Sequence, residues 1–373
     1  MPDPRLRRTM LMTPGNREDR LRKAAAYGAD ALVYDLEDSV PPAEKAHARR
    51  CMAAVLGAPE APPAAGLDPG PHGVRGDREP PAGRDQRGRH PDGLERCVRI
   101  NALDTPYGAD DLAALPFDRI DSVMVPKVES ADMLREVDAR LSALHADRGR
   151  DRPIELIALI ETPRGVLRAL DIADAVPRTT ALFFGSGDYT SALGAEVTDA
   201  TLHYPRSVIA AAAAAAGMQA IDAAFFGDVR NAQATRQDAL AARAMGYAGK
   251  VVFHPNQVDV VNDVFSPSPA EIARAQRLIA AYEAQLALGH GTSAVDGLFV
   301  AVDLVAPARR LLRLAETLRQ RAGGRPPAST ADTAASQSTA STAAGTAQPQ
   351  SIGSTTASSA QPPSTARHPG SSS

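Results

Sequence analysis

Residues 154–162 read IELIALIET and residues 181–188 read ALFFGSGD, two apolar runs that each close on a carboxylate, Glu161 in the first and Asp188 in the second. A short, unbroken apolar run of this kind is the mark of a strand buried on both faces, as in a parallel sheet covered by helices. On either side the pattern recurs, with β-branched runs separated by alanine-rich amphipathic stretches, which predicts parallel strands joined by covering helices. The predicted strands are Thr9–Pro14, Ala31–Asp38, Cys97–Asn101, Ser122–Lys127, Glu155–Thr162, Ala181–Asp188, Gly217–Asp222 and Lys250–Pro255. Eight such units predict a closed (β/α)8 barrel. A doubly wound open sheet is the alternative, but its Gly-rich dinucleotide fingerprint is missing after the first strand.

Polar residues recur where these strands end: Glu37 and Asp38, Arg99 and Asn101, Lys127 and Glu129, Glu161, and Asp188. In a barrel those ends meet at one mouth, the face on which such folds carry their chemistry. Glu161 and Asp188, from neighbouring strands, suit a hard cation that prefers oxygen ligands and leaves positions to water or substrate. Asp188 also suits a helix N-cap. Arg99 lies between apolar neighbours in CVRIN, where a guanidinium needs an anionic or carbonyl partner. It could hold a substrate carboxylate or an enolate oxygen, or form a structural salt bridge with Glu37 or Glu161. Glu37 and Asp38 could hydrogen-bond water on a metal, or orient Lys127 or Arg99.

Other residues read more plainly. His254 in VVFHPNQ could act as a base, but a histidine bonded to backbone is the commoner outcome. Cys51 and Cys97 have no activating base in view and read as packing. The MTPGN turn, with Arg7, Arg8, Arg17 and Arg20 nearby, could meet a phosphate or be a solvated face.

Across 373 residues, 41 Lys+Arg stand against 44 Asp+Glu, a formal charge of -3, and no basic stripe interleaved with aromatics appears. A nucleic-acid partner is therefore not expected. The two cysteines lack zinc-ligand or disulfide-framework spacing, which favours a reducing compartment. The basic N-terminus lacks a signal-peptide core, and no run approaches a membrane span, so a cytoplasmic protein with no membrane partner is expected. Residues 1–321 are read as the barrel with a C-terminal helical extension. Residues 322–373, rich in Ser, Thr, Ala and Pro, are read as a disordered tail. Residues 57–95, crowded with Pro, Gly and Arg, are read as an irregular insertion, either genuine or produced by a locally shifted reading frame.

Taken in order, RRTMLMTPGNREDRLRKAAAYGADALVYDLEDSVPPAEKAHAR, VRINALDTPYGADDL, VMVPKVESAD, LIALIETPRGV, FFGSGDYTSALG, YPRSVIAAAAAAAGMQAID and VFHPNQVDVVNDVFSPS resemble the HpcH/HpaI aldolase and citrate lyase β-subunit-like family. The resemblance runs from about Arg7 to about Glu316, apart from the Pro/Gly/Arg stretch. It implies a TIM barrel, Mg2+ as cofactor, CoA thioesters of short hydroxy acids as substrates, carbon–carbon lyase activity and a homo-oligomer, trimer or hexamer. By the same resemblance Glu161 and Asp188 are metal ligands, and Arg99 binds substrate carboxylate or thioester oxygen. Asp296, in AVDGLFVAVD, is then the proton donor and acceptor, presented to a neighbouring subunit's site. Where relatives often carry a Lys-Met-like pair and a near-adjacent Asp after the DG pair, this chain has Leu298-Phe299 and a later Asp303. Malyl-CoA thioesterase activity, a citryl thioester on an acyl carrier protein, and a catalytically impaired barrel serving as a binding subunit are the rival readings.

Overall fold

The computed structural model describes residues 5–57, 93–148, 153–295 and 298–323. Eight strands close a parallel barrel in chain order: β1 (Thr9–Pro14), β2 (Ala31–Asp35), β3 (Glu95–Arg99), β4 (Ser122–Val125), β5 (Glu155–Ile160), β6 (Thr179–Phe184), β7 (Gln219–Asp222) and β8 (Gly249–Val252). β8 returns to pair with β1, Thr9 opposite Lys250. Glycine is required at that seam, because a Cβ on Gly249 would fall 1.8 Å from the Arg7 carbonyl oxygen.

The covering helices are α1 (Glu18–Ala24), α2 (Lys45–Gly57), α3 (Gly108–Ala114), α4 (Ala131–Arg148), α5 (Pro163–Leu167), α6 (Ala169–Ala173), α7 (Ser186–Leu193), α8 (Asp199–Ala215), α9 (Ala232–Ala244) and α10 (Val258–Val264). A C-terminal extension follows: α11 (Pro269–Ala287), a hairpin of β9 (Thr292–Val295) and β10 (Leu298–Ala301), and α12 (Val302–Gly323). Ala275 and Leu278 of α11 pack on Val305 and Ala308 of α12. At its far end Arg321 reaches Asp30, 2.9 Å away, so α12 finishes against the face of the barrel from which the strands start. No helix among the described residues is long and apolar enough to cross a membrane.

Strand alternation divides the side chains into two cores. Leu11, Leu32, Val98, Val123, Leu156, Leu182 and Val252 point outward and pack under the helices. Met10, Val33, Cys97, Met124, Ile157, Phe183 and Val251 point inward and fill the middle of the barrel. Charge lies above and below that inner layer. Below it, Arg7 is 1 % exposed and donates to Glu95 at 2.7 and 2.9 Å, to Glu155 at 2.7 Å, and to Thr180 and Gln219 at 3.1 Å each. Buried guanidinium groups survive only when paired in this way.

The structure moves several predicted boundaries. β2 stops at Asp35 because its carboxylate accepts the Glu37 amide at 2.9 Å and the Ser39 amide at 3.3 Å, turning the chain out of the sheet. Glu37, Asp38, Lys127, Glu161 and Asp188 therefore lie on the loops and helix starts just beyond the strands. β3 begins at Glu95, two residues early, since the charged Glu95 is the inward partner of Arg7. Of the segment read as an insertion, Gly57 belongs to α2 and Glu95 to β3, while residues 58–92 lie outside the described residues. α12 extends to Gly323, and residues 324–373 of the predicted tail lie outside the described residues.

Candidate active site

Three inward residues at the upper ends of β2, β3 and β5 start the site: Asp35, Arg99 and Glu161. The strand before Glu161 ends in Thr162 and Pro163. The Thr162 hydroxyl accepts the Gly165 amide at 3.1 Å and Pro163 opens α5, which fixes Glu161 at the exit. Glu161 is 5 % exposed and accepts the Lys127 amide at 2.9 Å. Its other flank is backbone, because a Cβ on Gly185 would stand 2.6 Å from Glu161 Cβ and 2.8 Å from Oε2. Burial pushes the Glu161 carboxyl up to about 8, against the pull of Arg99, and Glu37 and Asp188 add to the rise while Lys127 opposes it.

Arg99 is held as a fork. Nε and Nη2 each donate to Asp35 at 2.7 Å, and Nη1 lies 3.0 Å from Glu37 and 3.9 Å from Asp38. Burial works against charge on both partners, but the pairing prevails: Asp35 is held below its ordinary range and Arg99 is raised further. The salt bridge to Glu37 foreseen as one alternative is thus present, although the principal partner is Asp35, to which the sequence reading gave no role. Lys45 was missed as well. Its ammonium donates to the carbonyls of Leu36 and Glu37 at 2.8 and 2.7 Å and to Asn101 at 2.8 Å, pinning the loop that carries Glu37.

Lys127 is the non-glycine residue with positive φ among those described, at +51°. A left-handed backbone costs a side-chain-bearing residue about 1–2 kcal/mol, so the surroundings must impose it. The bend sends its amide to Glu161 and its ammonium to Glu37 at 2.5 Å, Asp38 at 3.2 Å and Asp188 at 3.5 Å. Asp188 lies in the first turn of α7, not at its N-cap, which is Gly185. It is more open than Glu161, its side chain 44 % exposed. Above it Phe226 and Phe253, on the loops after β7 and β8, make an exposed edge-to-face pair with centroids 5.5 Å apart. The Phe226 ring sits 3.3 Å from where a Cβ on Gly187 would lie.

The remaining candidates disperse. Arg7 and Arg8 lie at the start of β1, where Arg8 pairs with Asp30 at 2.8 Å, so they do not join Arg17 and Arg20 in a phosphate site. The reason is one of direction: Arg7 and Arg8 enter β1 at its start, whereas Met12, Thr13 and Pro14 of MTPGN close it. His254 is exposed and caps a short 3-10 turn, its Nδ1 accepting the Asn256 amide at 3.2 Å. Cys97 is buried in the inner layer, its thiol pushed up to about 12 by burial, and Cys51 packs in α2. Asp296 lies outside the described residues.

A closed parallel barrel with an arginine and several carboxylates at its C-terminal mouth defines a TIM-barrel enzyme. The model of the HpcH/HpaI aldolase/citrate lyase family matches residues 8–70 and 88–255, and the chain belongs to that family. A citrate lyase subunit beta from Leuconostoc mesenteroides subsp. cremoris is 32% identical over 320 residues, 84% of this chain and 95% of that protein. An L-malyl-CoA/beta-methylmalyl-CoA lyase from Cereibacter sphaeroides is 30% identical over 339 residues, 85% of this chain and 97% of the relative. Among solved structures, CitE from Mycobacterium tuberculosis in complex with magnesium, acetoacetate and coenzyme A is similar with a TM-score of 0.60 and 31% identity, covering 83% of this chain and 97% of the other. The chain is accordingly an enzyme of the carbon–carbon lyase class.

Proposed function

We propose that this enzyme cleaves short hydroxyacyl-CoA thioesters, such as malyl-CoA or citramalyl-CoA, to a keto acid and acetyl-CoA in a magnesium-dependent reaction. The observation that carries the reading is the pair of carboxylates at the barrel mouth, Glu161 buried at the exit of β5 and Asp188 in the first turn of α7, both touched by Lys127. Such a pair calls for a cation. Glu161 and Asp188 are hard oxygen donors of the type Mg2+ takes, and one or two protein carboxylates are its usual share. Among the described residues no three His, Cys, Asp or Glu side chains form a complete cage. A two-carboxylate set matches an ion whose other positions belong to water and substrate oxygens.

When bound, Mg2+ would supply Lewis-acid stabilisation to the carboxylate and hydroxyl oxygens of the substrate. Glu161 and Asp188 would hold and orient it, and Glu37 and Asp38 would accept hydrogen bonds from water beside it. Arg99, locked by Asp35, directs a permanent positive charge into the mouth. It stabilises the oxygen on which charge grows as the carbon–carbon bond breaks and the hydroxyl carbon becomes a carbonyl. Asp296, as proton acceptor and donor, takes the hydroxyl proton as the carbonyl forms and gives a proton to the acetyl carbon that inherits the bonding electrons. Phe226 and Phe253 offer an apolar rim for the thioester arm. A homo-oligomer belongs to the same reading, since Asp296 is proposed to serve a neighbouring subunit.

The test is an assay of purified protein on a panel of hydroxyacyl-CoA thioesters with and without Mg2+, resolving keto acid, acetyl-CoA and free CoA. Glu161→Ala and Asp188→Ala are expected to abolish metal-dependent cleavage, and undiminished turnover in both would refute the ligand assignment. Free CoA without acetyl-CoA would replace lyase by thioesterase activity.

A further inference from the structure

The loop after β4 is unusual in how thoroughly it is fixed. Pro126 precedes Lys127, and Val128, fully buried, donates its amide to the Leu159 carbonyl at 3.1 Å. Between these anchors Lys127 is forced to φ +51°, its amide is spent on Glu161, and its side chain has one direction left, across the mouth. There the ammonium meets Glu37, Asp38 and Asp188, with Asp188 the longest contact at 3.5 Å. Strained backbone at a site is maintained because the arrangement is used. A lysine fits the use, since its compact charge on a flexible stem can change partners, which a planar guanidinium locked in a fork does not readily do.

We propose that Lys127 is a resident counter-cation: its ammonium neutralises the acidic mouth when no divalent ion is bound, and it releases Asp188 when one enters. This rests on the proposed metal reading of Glu161 and Asp188. The backbone contact to Glu161 persists in both states, so the same residue orients one metal ligand while its side chain competes for the other. Lys127 is thus a positioning residue that sets metal affinity and keeps the mouth intact without metal.

The test compares wild type, Lys127→Met, which keeps the stem and removes the charge, and Lys127→Arg, which keeps the charge. Mg2+ binding is followed by calorimetric titration, and thermal unfolding is followed in EDTA and in saturating Mg2+. With a repelling charge removed from a partly exposed site, Lys127→Met is expected to bind Mg2+ about three- to tenfold more tightly. It should also melt lower in EDTA and show a larger Mg2+-induced rise in Tm, while Lys127→Arg, which gives up Asp188 less readily, keeps its stability in EDTA and binds Mg2+ no more tightly than wild type. Lys127→Met that folds only with Mg2+ would support the proposal too. Unchanged or weaker Mg2+ binding by Lys127→Met overturns it, as does equal destabilisation with and without Mg2+. Should Lys127→Met fail to fold under either condition, Lys127→Gly removes the ammonium and accepts positive φ without strain, and the same titration decides. Wild type that binds no Mg2+ defeats the metal reading itself, whereas wild type and Lys127→Met binding alike defeats only the role of Lys127.

Discussion

Replacing Gly185 by alanine perturbs the site through a single methyl group. The backbone there, φ -99° and ψ 98°, is open to any residue, so the effect is purely steric. The new Cβ would lie 2.6 Å from Glu161 Cβ, 2.8 Å from its Oε2 and 3.0 Å from Leu159 Cδ1, each well inside normal contact. Overpacking of this order costs about 1–3 kcal/mol. Reduced freedom of the unfolded chain returns about 0.4–1 kcal/mol. The net loss is about 1–2 kcal/mol, a fall in Tm of about 1.5–3 °C for a unit of this size. Because the closest contact is with Glu161 Cβ, the strand end must shift together with its carboxylate, and the proposed Mg2+ affinity should fall about 10- to 100-fold, as when the supports of a metal ligand are disturbed. Urea unfolding measures the first quantity and calorimetric titration with Mg2+ the second. Wild-type values for both would show that Gly185 does not seat Glu161.

Two further outcomes are expected. Without divalent ions, Glu161 holds its proton to about 8 in the folded protein but to only about its ordinary 4.5 when unfolded. The folded state therefore binds the extra proton over that window, and stability should decline as pH rises from about 4.5 to about 8, by up to a few kcal/mol. Urea midpoints in EDTA at pH 5.5 and 8.5 measure this; a midpoint that climbs over the interval contradicts it, and saturating Mg2+ should flatten the decline. Arg7→Met leaves Glu95 buried without its fork and should destabilise by about 3–5 kcal/mol in unfolding experiments. Its Mg2+ affinity should change by less than about tenfold, because six residues of extended chain, about 20 Å, separate the Glu155 that Arg7 holds from Glu161; a larger change would contradict that separation.

Much of this architecture was readable because burial leaves a simple trace. IELIALIET and ALFFGSGD announce strands covered on both faces, and the family resemblance extends that reading over most of the barrel. Strand ends were less readable, since a strand stops where hydrogen bonds are diverted, and the Asp35 carboxylate that diverts β2 looks in sequence like another strand residue. For the same reason the partner of Arg99 was missed: the fork depends on the register that sets Asp35 beside Arg99, which linear spacing does not reveal. Arg7 and Arg8 looked like part of a cluster with Arg17 until the fold placed both of them before β1 and Arg17 after it. The left-handed turn at Lys127 carries no glycine or asparagine to signal it, because tertiary contacts impose it.

The inner layer of Met10, Val33, Cys97, Met124, Ile157, Phe183 and Val251 parts the two ends as a dry plug rather than as a shield. Few of its atoms can reorient to follow a changing charge, so it screens poorly and charges on either side still feel one another, but it bars water, ions and hydrogen-bond chains from passing between the Arg7 cluster and the mouth. The barrel thus holds two compartments whose hydrogen-bond networks can be tuned apart: one end can drift toward greater rigidity while the other is reshaped for a new acyl group.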